Sequence, residues 1–331
     1  MKQRPMVILT GPTAVGKSAL SVALAKKING EIISADSMQV YRHMDIGSAK
    51  ITREEMQGVP HYLIDELSPF EEFHVARFAG AAKKYAEQIW AKGKIPLVVG
   101  GTGFYIQALL YDIDFAEQDC DPEYRSGLER LAAERGSEYL HGLLREVDPE
   151  SASAIHANNK KRVIRALEYY RLTGEKISVH NERERTKASP YHFAYFVLSD
   201  DRETLYKRIN ARVDDMIEKG LVGEVLRLKE MGCDEHMVSM QGLGYKEILA
   251  YLNGSCTLEE AVYAVKRDTR HFAKRQLTWF HRERDVIWLD KREYAHRDDK
   301  IIEDMISILW DTRRIEIISS MIFSSRCAYS L

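Results

Sequence analysis

The chain has 331 residues, 45% of them hydrophobic and 30% charged, a balance typical of a soluble globular protein. Its formal net charge of −2 gives no overall attraction to a polyanion. No apolar run approaches the roughly 20 residues that span a bilayer, and a strand pattern begins at the N-terminus, so we expect no membrane segment and no signal peptide. The cysteines form no CxxC pair, which favours a reducing cytoplasm over a disulfide framework or a zinc site; they are Cys120, Cys233, Cys256 and Cys327.

The first predicted elements, strand Met6–Thr10 and helix Lys17–Lys27, flank the segment GPTAVGKS. This segment matches G-x-x-x-x-G-K-[ST] at every fixed position, and it stands between a strand and a helix as the motif requires. Backbone N–H groups and the helix dipole would form an anion cradle, in which Lys17 reaches a terminal phosphate and the Ser18 hydroxyl holds Mg²⁺. We therefore expect a phosphorylated ligand here, on Gly11, Pro12, Thr13, Ala14, Val15, Gly16, Lys17 and Ser18.

Two more predicted strands are followed by segments whose residues suit catalysis or phosphate binding. Strand Glu31–Ala35 precedes Asp36, which at the carboxyl edge of a parallel sheet can act as a general base or hold Mg²⁺ through water; a helix N-cap is the alternative. Strand Ile95–Val99 precedes a Gly-Gly-Thr-Gly turn, in which Thr102 and the glycines allow close approach to a phosphate. A P-loop ATPase would more often carry an Asp at this point, so its absence argues against ATP hydrolysis.

The sequence becomes charged and helical after residue 120. Asp-Pro pairs predict helix starts at Pro122 and Pro149, and Asn159 is expected to cap a helix that ends at Gly174. Residues 191–200 are strand-like again and should rejoin the sheet. The other predicted helices are His74–Ala91, Phe104–Tyr111, Asp201–Lys219, Leu221–Met231 and Leu258–Trp279, and a last short strand is predicted at 286–290.

This order predicts an α/β fold with a P-loop NTPase-like parallel sheet flanked by helices, a mostly helical insertion and a helical C-terminal part. We divide the chain into a first part of the core at 1–115 and a helical insertion domain at 116–190. Residues 191–290 would complete the core and add C-terminal helices, and 291–331 would form a C-terminal helix and a tail without an assigned role.

Basic residues cluster in two segments despite the net charge. Residues 160–187 carry nine Lys/Arg against four acids, and residues 262–284 carry seven against two. Such patches suit a polyanionic partner, and two solvated helix faces are the alternative. Aromatic residues interleaved with arginines at 275–284 suit stacked bases, although helical spacing favours a core position for Trp279.

Arg208 and Arg212 lie at i and i+4 on one predicted helix. Two guanidinium groups on one helix face suit a phosphate clamp. Ordinary surface ion pairs, with Glu203 or Asp215 as partners, are the alternative.

Taken in series, these motifs resemble those of the bacterial tRNA dimethylallyltransferases, also called tRNA isopentenyltransferases. The motifs are GPTAVGKS, ISADSMQVYRHMDIGSAK (33–50), PHYLID (60–65), GGTGFY (100–105), KKRVIRALE (160–168), LYKRINARV (205–213), QGLGYKE (241–247) and QLTWFHR (276–282). The resemblance covers residues 5–290 in order. It implies transfer of a dimethylallyl group from dimethylallyl diphosphate to N6 of the adenosine just 3′ of the anticodon in tRNA. HANN at 156–159 and His281 depart from the family pattern, which puts minor tRNA contacts in doubt.

The resemblance also implies the site. Asp36 would be the general base, and Thr102 and Arg212 would lie at the diphosphate. To these we add Arg208 from its helix spacing, and Mg²⁺ on Ser18 as the cofactor from the P-loop motif. The partners would be the anticodon stem-loop of tRNA and dimethylallyl diphosphate, with the protein a cytoplasmic monomer that contacts no membrane. The implied tRNA contacts are Asp36, Ser37, Met38, Gln39, Thr102, Arg125, Lys160, Lys161, Arg162, Val163, Ile164, Gln241, Gly242, Leu243, Gly244, Tyr245 and Lys246.

Three other functions stay open on the residues alone. An adenylate dimethylallyltransferase that uses free AMP would share the fold but would not need the two basic patches. A P-loop small-molecule kinase would use Asp36 to deprotonate a hydroxyl group. An NTP-sensing RNA-binding protein would not need an acid, a threonine and an arginine together at the phosphate.

Overall fold

A computed structural model describes residues 4–113 and 121–311 of the chain. The predicted tail beyond residue 311, the domain boundary at 115/116, Cys120 and Cys327 lie outside the described residues. The strands are β1 (Arg4–Thr10), β2 (Gly30–Ala35), β3 (His61–Tyr62), β4 (Ile95–Gly100), β5 (Tyr191–Ser199) and β6 (Val286–Asp290). The helices are α1 (Lys17–Lys27), α2 (Arg53–Met56), α3 (Val75–Ala91), α4 (Gly103–Leu110), α5 (Pro122–Arg135), α6 (Ser137–Val147), α7 (Pro149–Ala154), α8 (Lys160–Thr173), α9 (Ile177–Thr186), α10 (Arg202–Glu218), α11 (Leu221–Glu230), α12 (Tyr245–Leu252), α13 (Leu258–Phe280) and α14 (Asp298–Asp311).

The six strands form one parallel sheet in the order β3-β2-β4-β1-β5-β6. Strand β1 lies in its middle and is buried on both faces: Val7 and Leu9 pack into a core shared with α1, α10 and α14, and the alternate residues Met6 and Ile8 are equally buried. Because every strand runs the same way, all carboxyl ends meet at one edge. The predicted α/β class and parallel sheet are confirmed.

The chain forms two compact units, one of residues 1–110 and 190–331 and one of residues 111–189. The second unit consists of α5 to α9 around its own apolar core, to which Leu140, Leu144 and Val163 contribute. Asp121 and Asp148 cap α5 and α7 with their carboxylates, each helix having Pro at its first turn. Asn159 stands at the start of α8 but its side chain makes no capping hydrogen bond, so that part of the prediction was wrong.

Within the described residues, no helix is both long enough and apolar enough to cross a bilayer.

Candidate active site

The phosphate loop, residues 11–18, follows β1 directly and opens α1. Gly16, at the N-cap of α1, has a left-handed φ of 99° and the helix has no side-chain cap. The first N–H groups of α1 therefore remain available to an anion. Gly11 has a φ of 146°, and a Cβ on it would lie 2.5 Å from the Leu198 carbonyl oxygen, so only glycine fits where the loop leaves the sheet.

Lys17 folds back over this loop. Its Nζ donates to the carbonyl oxygens of Gly11 at 2.9 Å and Pro12 at 2.8 Å. Burial, and after it the positive charge of Arg212, lower the pKa of Lys17 to about 7 against the opposing effect of the negative charge of Asp36. Burial also lowers the pKa of Arg212, against the charge of Asp36. Lys17, Asp36 and Arg212, which are far apart in the sequence, thus interact electrostatically at the phosphate loop.

Asp36 stands at the carboxyl end of β2. Its Oδ1 accepts the N–H groups of Met38 at 2.8 Å and Gln39 at 3.3 Å, which makes a local turn; no helix begins here, so the helix N-cap given as the alternative is wrong. Among the described residues, Oδ2 has no hydrogen-bond donor. One oxygen therefore fixes the carboxylate and leaves the other for chemistry.

Thr102 lies next to Asp36 because β2 and β4 are neighbours in register. Ala35 pairs with Gly100, and the Thr102 N–H donates to the Ala35 carbonyl at 3.3 Å. A Cβ on Gly100 would lie 2.2 Å from that same carbonyl oxygen, which explains the glycine. The predicted convergence of phosphate loop, acid and Gly-Thr-Gly turn therefore has a structural basis in strand register.

Gln276, quoted in a motif but given no role by sequence reasoning, joins the two phosphate-facing turns. Its Oε1 accepts the Thr13 N–H at 2.9 Å, and its Nε2 donates to the Gly101 carbonyl at 2.8 Å. The side chain is buried, and a Cβ on Gly101 would lie 2.2 Å from Nε2. A glutamine in a helix otherwise rich in Lys and Arg was the available signal.

Lys291 was also missed, and no motif marks it. Its buried Nζ lies 3.5 Å from the Val15 carbonyl oxygen and forms an ion pair with Asp298 at 2.8 Å. A Cβ on Gly16 would lie 3.2 Å from the same nitrogen. This cation, paired with Asp298, therefore packs against the backbone of the phosphate loop.

The structure separates the two arginines of the expected clamp. Arg208 donates from Nη1 to the buried carboxylate of Asp200 at 2.8 Å, at the end of β5. Arg212, one turn further along α10, is the arginine coupled to Lys17 and Asp36. The electrostatic interactions of Arg212 with Lys17 and Asp36 support its place at the phosphate loop, whereas Arg208 has a structural partner in Asp200.

Two segments expected to contact tRNA touch each other. A Cβ on Gly242 would lie 2.5 Å from the terminal methyl of Met38, so residues 36–39 and 241–246 share one surface. Gln241 and Lys246 are exposed there. Tyr245 is completely buried, and its hydroxyl is engaged inside the protein. The Tyr245 side chain therefore faces the protein interior, and the expected contact of this residue with tRNA stays a prediction.

The residues of the second unit that were expected to contact tRNA include both exposed and buried positions. Lys160, Lys161 and Arg162 are exposed at the start of α8. Val163 and Ile164 are buried in the core of this unit, so their side chains cannot reach a ligand.

Arg125, in the same unit, already has an acidic partner. It donates from Nε and Nη2 to the buried carboxylate of Glu168 at 2.9 and 2.7 Å, a two-pronged ion pair that links α5 to α8. Its placement indicates a structural role.

Trp279, expected in the core, is only partly buried. A Cβ on Gly103 would lie 2.2 Å from its ring, and Phe104 meets it edge-on at 6.1 Å between ring centroids. The fully buried aromatic of this segment is Phe280. The indole therefore supports the turn that carries Thr102.

This arrangement can bind a diphosphate and promote one proton transfer. Helix N–H groups, Lys17 and Arg212 would stabilise the charge of a departing phosphate group. The second oxygen of Asp36 can accept a proton beside it.

Comparison with known proteins finds similarity to isopentenyl and dimethylallyl transferases. A family model described as IPP transferase matches residues 39–283, and one described as isopentenyl transferase matches residues 5–69. A protein named tRNA dimethylallyltransferase from Lachnoclostridium phytofermentans is 63% identical, over 95% of this chain and 100% of the relative. A protein of the same name from Acetivibrio thermocellus is 54% identical, over 91% of this chain and 96% of the relative.

Solved structures are similar as well. The tRNA isopentenylpyrophosphate transferase of Bacillus halodurans is 43% identical, with a TM-score of 0.70 over 97% of this chain and 100% of the other. A eukaryotic dimethylallyltransferase acting on tRNA is 31% identical, with a TM-score of 0.76 over 92% of this chain and 80% of the other.

Proposed function

We propose that this chain, which belongs to the IPP transferase family, transfers a dimethylallyl group from dimethylallyl diphosphate to N6 of an adenosine in tRNA. The target is the adenosine immediately 3′ of the anticodon. The chain is a tRNA prenyltransferase that modifies adenosine. The donor, the position in the anticodon loop and the roles of individual residues are the proposed parts.

These roles are supported by the positions of Lys17 on the phosphate loop and Asp36 at the carboxyl end of β2, and by the electrostatic interaction of Arg212 with both. As the bond between C1 and the diphosphate oxygen breaks, its electron pair leaves with the diphosphate. Lys17, Arg212 and the N–H groups of α1 stabilise that negative charge. The adenine N6 lone pair forms the new bond to C1, and the N6 proton passes to Asp36.

A divalent metal is usual for prenyltransferases, and we infer Mg²⁺ here. The described residues contain no cluster of three or more Asp, Glu, His or Cys side chains that could hold a metal. The hydroxyl of Ser18 is a hard oxygen donor of the kind that binds Mg²⁺ together with substrate phosphates. When bound, the ion would neutralise charge on the diphosphate.

The exposed basic residues at the start of α8 are the proposed grip on the tRNA backbone. Three consecutive cations, Lys160, Lys161 and Arg162, would neutralise phosphates without reading the sequence. Their contacts would help offset the few kcal/mol needed to take the target adenine out of its stack.

The function is tested by incubating the protein with labelled dimethylallyl diphosphate, unmodified tRNA and Mg²⁺. We expect label on the adenosine 3′ of the anticodon, loss of transfer with EDTA, and recovery with excess Mg²⁺. Equal transfer to free AMP, or transfer of phosphate from ATP to a small molecule without prenylation of tRNA, would refute the proposal.

The base role is tested with Asp36→Asn, measured in single turnover at saturating tRNA. The amide keeps an oxygen that can accept the N–H groups of Met38 and Gln39, but it cannot take up the proton. We expect a rate loss of about 10²–10⁴-fold with tRNA affinity within a few-fold of wild type. A loss of less than tenfold would remove Asp36 from this role.

A further inference from the structure

A buried glutamate holds the segment that follows Asp36. Glu224, on α11, is 3% exposed. Its Oε2 accepts the N–H groups of Asp45 at 2.9 Å and Ile46 at 2.8 Å, and its Oε1 accepts that of Gly47 at 3.1 Å. Three consecutive backbone donors on one carboxylate form a nest of the kind that usually binds an anion. Here the protein supplies the anion itself, from a residue far along the chain.

Tyr245 completes this arrangement. Its hydroxyl donates to Glu224 Oε1 at 2.8 Å and accepts the Ser48 N–H at 3.1 Å. A Cβ on Gly47 would lie 2.6 Å from the phenol ring, so a glycine is needed for the turn to lie on it. Burial and the charge of Glu224 raise the pKa of Tyr245, which keeps the hydroxyl protonated as a donor.

The turn that these two residues hold, residues 45–48, is linked to Asp36 through Gln39. The Gln39 Nε2 donates to the carbonyl oxygens of Ser48 and Ala49, each at 3.3 Å. The backbone N–H of Gln39 in turn donates to Asp36 Oδ1, beside that of Met38. A continuous series of hydrogen bonds therefore runs from α11 to the carboxylate.

We propose that Glu224 and Tyr245 are positioning residues for Asp36. They hold the 45–48 turn in place, the turn holds Gln39, and Gln39 helps to fix the one carboxylate oxygen that does not take part in chemistry. The inference rests on the proposed role of Asp36 as the base. It accounts for a tyrosine that lies in a motif expected to contact tRNA and is nevertheless buried. A displacement of about 1 Å at a reacting group can cost on the order of 10²-fold in rate.

The test compares Glu224→Gln and Tyr245→Phe with a control, Glu31→Gln. Glu31 is equally buried, paired with Lys92 and Lys94, and stands near the opposite end of β2 from Asp36. We expect single-turnover rates, at saturation with both substrates, to fall about 10- to 100-fold in the two test variants, with the dissociation constant of dimethylallyl diphosphate changed less than about threefold. The control should keep the wild-type rate within about threefold even though it removes a buried charge.

A double-mutant cycle separates positioning from general stabilisation. If Glu224 acts through Asp36, Glu224→Gln should cost almost nothing further in the Asp36→Asn background. Rate losses that multiply, or a control that loses as much rate as the test variants, would overturn the inference. Tyr245→Phe, which removes a single hydroxyl, gives the same comparison if Glu224→Gln does not fold.

Amide hydrogen exchange supplies a readout that does not depend on transfer. Glu224→Gln and Tyr245→Phe should speed exchange at the N–H groups of residues 45–48 and at Met38 and Gln39, and Glu31→Gln should not. Unchanged exchange there would overturn the inference even if the rates fell. Absence of prenyl transfer by the wild-type protein would instead refute the proposed function, and this measurement would still report on the hydrogen-bonded series.

Discussion

Lys17 is the group of the site whose charge we expect to change near neutral pH. Its pKa is lowered to about 7 by burial and by Arg212. In the free protein at pH 8, about nine in ten Lys17 side chains are then neutral. A bound diphosphate places negative charge beside the ammonium group and raises its pKa again. Binding should therefore take up close to one proton at pH 8, and affinity should fall by up to about tenfold for each pH unit above 7.

The same pKa shift fixes the sign of the effect on stability. The pKa in the unfolded chain, 10.5, is higher than the value of about 7 in the folded protein, so between these limits the unfolded state binds more protons. The contribution of Lys17 to the free energy of unfolding of the ligand-free protein therefore rises with pH from about 7 to 10.5, and it is constant and least favourable below pH 7.

Calorimetric titration with dimethylallyl diphosphate, in two buffers that differ in ionisation enthalpy, measures the proton uptake directly. We expect close to one proton at pH 8.5 and almost none at pH 6 for the wild type. Lys17→Arg is the matched control because arginine stays charged, and titration of the diphosphate itself affects both proteins equally. Equal proton uptake by the two proteins at pH 8.5 would refute the reasoning.

Two further predictions concern cations of the site and of the second unit. Arg212→Lys should lower kcat/KM for dimethylallyl diphosphate by about 30- to 1,000-fold, or ~2–4 kcal/mol, because an ammonium group does not reproduce the planar donor set. Arg208→Ala should mainly lower the unfolding temperature, since it removes the arginine partner of a buried aspartate, and a large kcat/KM loss for Arg208→Ala with a normal Arg212→Lys would reverse the assignment. Replacing Lys160, Lys161 and Arg162 together by Ala should reduce the slope of log K for tRNA against log salt by ~0.7–0.9 per lost phosphate contact, and an unchanged slope would mean that these charges are only solvated.

The elements that sequence reasoning predicted are those with strong local patterns. Strand β1 and helix α1 enclose a contiguous motif, and their observed bounds agree with the predicted ones within two residues. Helix α2 and strand β3 were not predicted, since four and two residues are too few for a period to appear. The convergence on the phosphate loop could also be predicted, because carboxyl ends of parallel strands share an edge whatever the details of packing.

The choice between Arg208 and Arg212 could not be predicted in the same way. Both lie on one face of α10, four residues apart, and both are equally suited to bind phosphate. The difference arises from Asp200, which stands at the end of β5 beside the first turns of α10 and takes Arg208 as its partner. Sequence spacing contains no information about which acid from another element will lie opposite each arginine.

A motif that marks a binding site also includes residues that do not face the ligand. In a helix, adjacent residues point in different directions, so a contiguous segment such as 160–164 must include positions that face the core. The exposed members can reach a ligand, while Val163 and Ile164 fix the helix that presents them. Tyr245 is a second example of a buried motif residue with a supporting role, since its hydrogen bonds hold a turn that is linked to Asp36. Glu224, without which the turn has no acceptor for three N–H groups, belongs to the same functional set although it lies outside the motifs that indicated the activity.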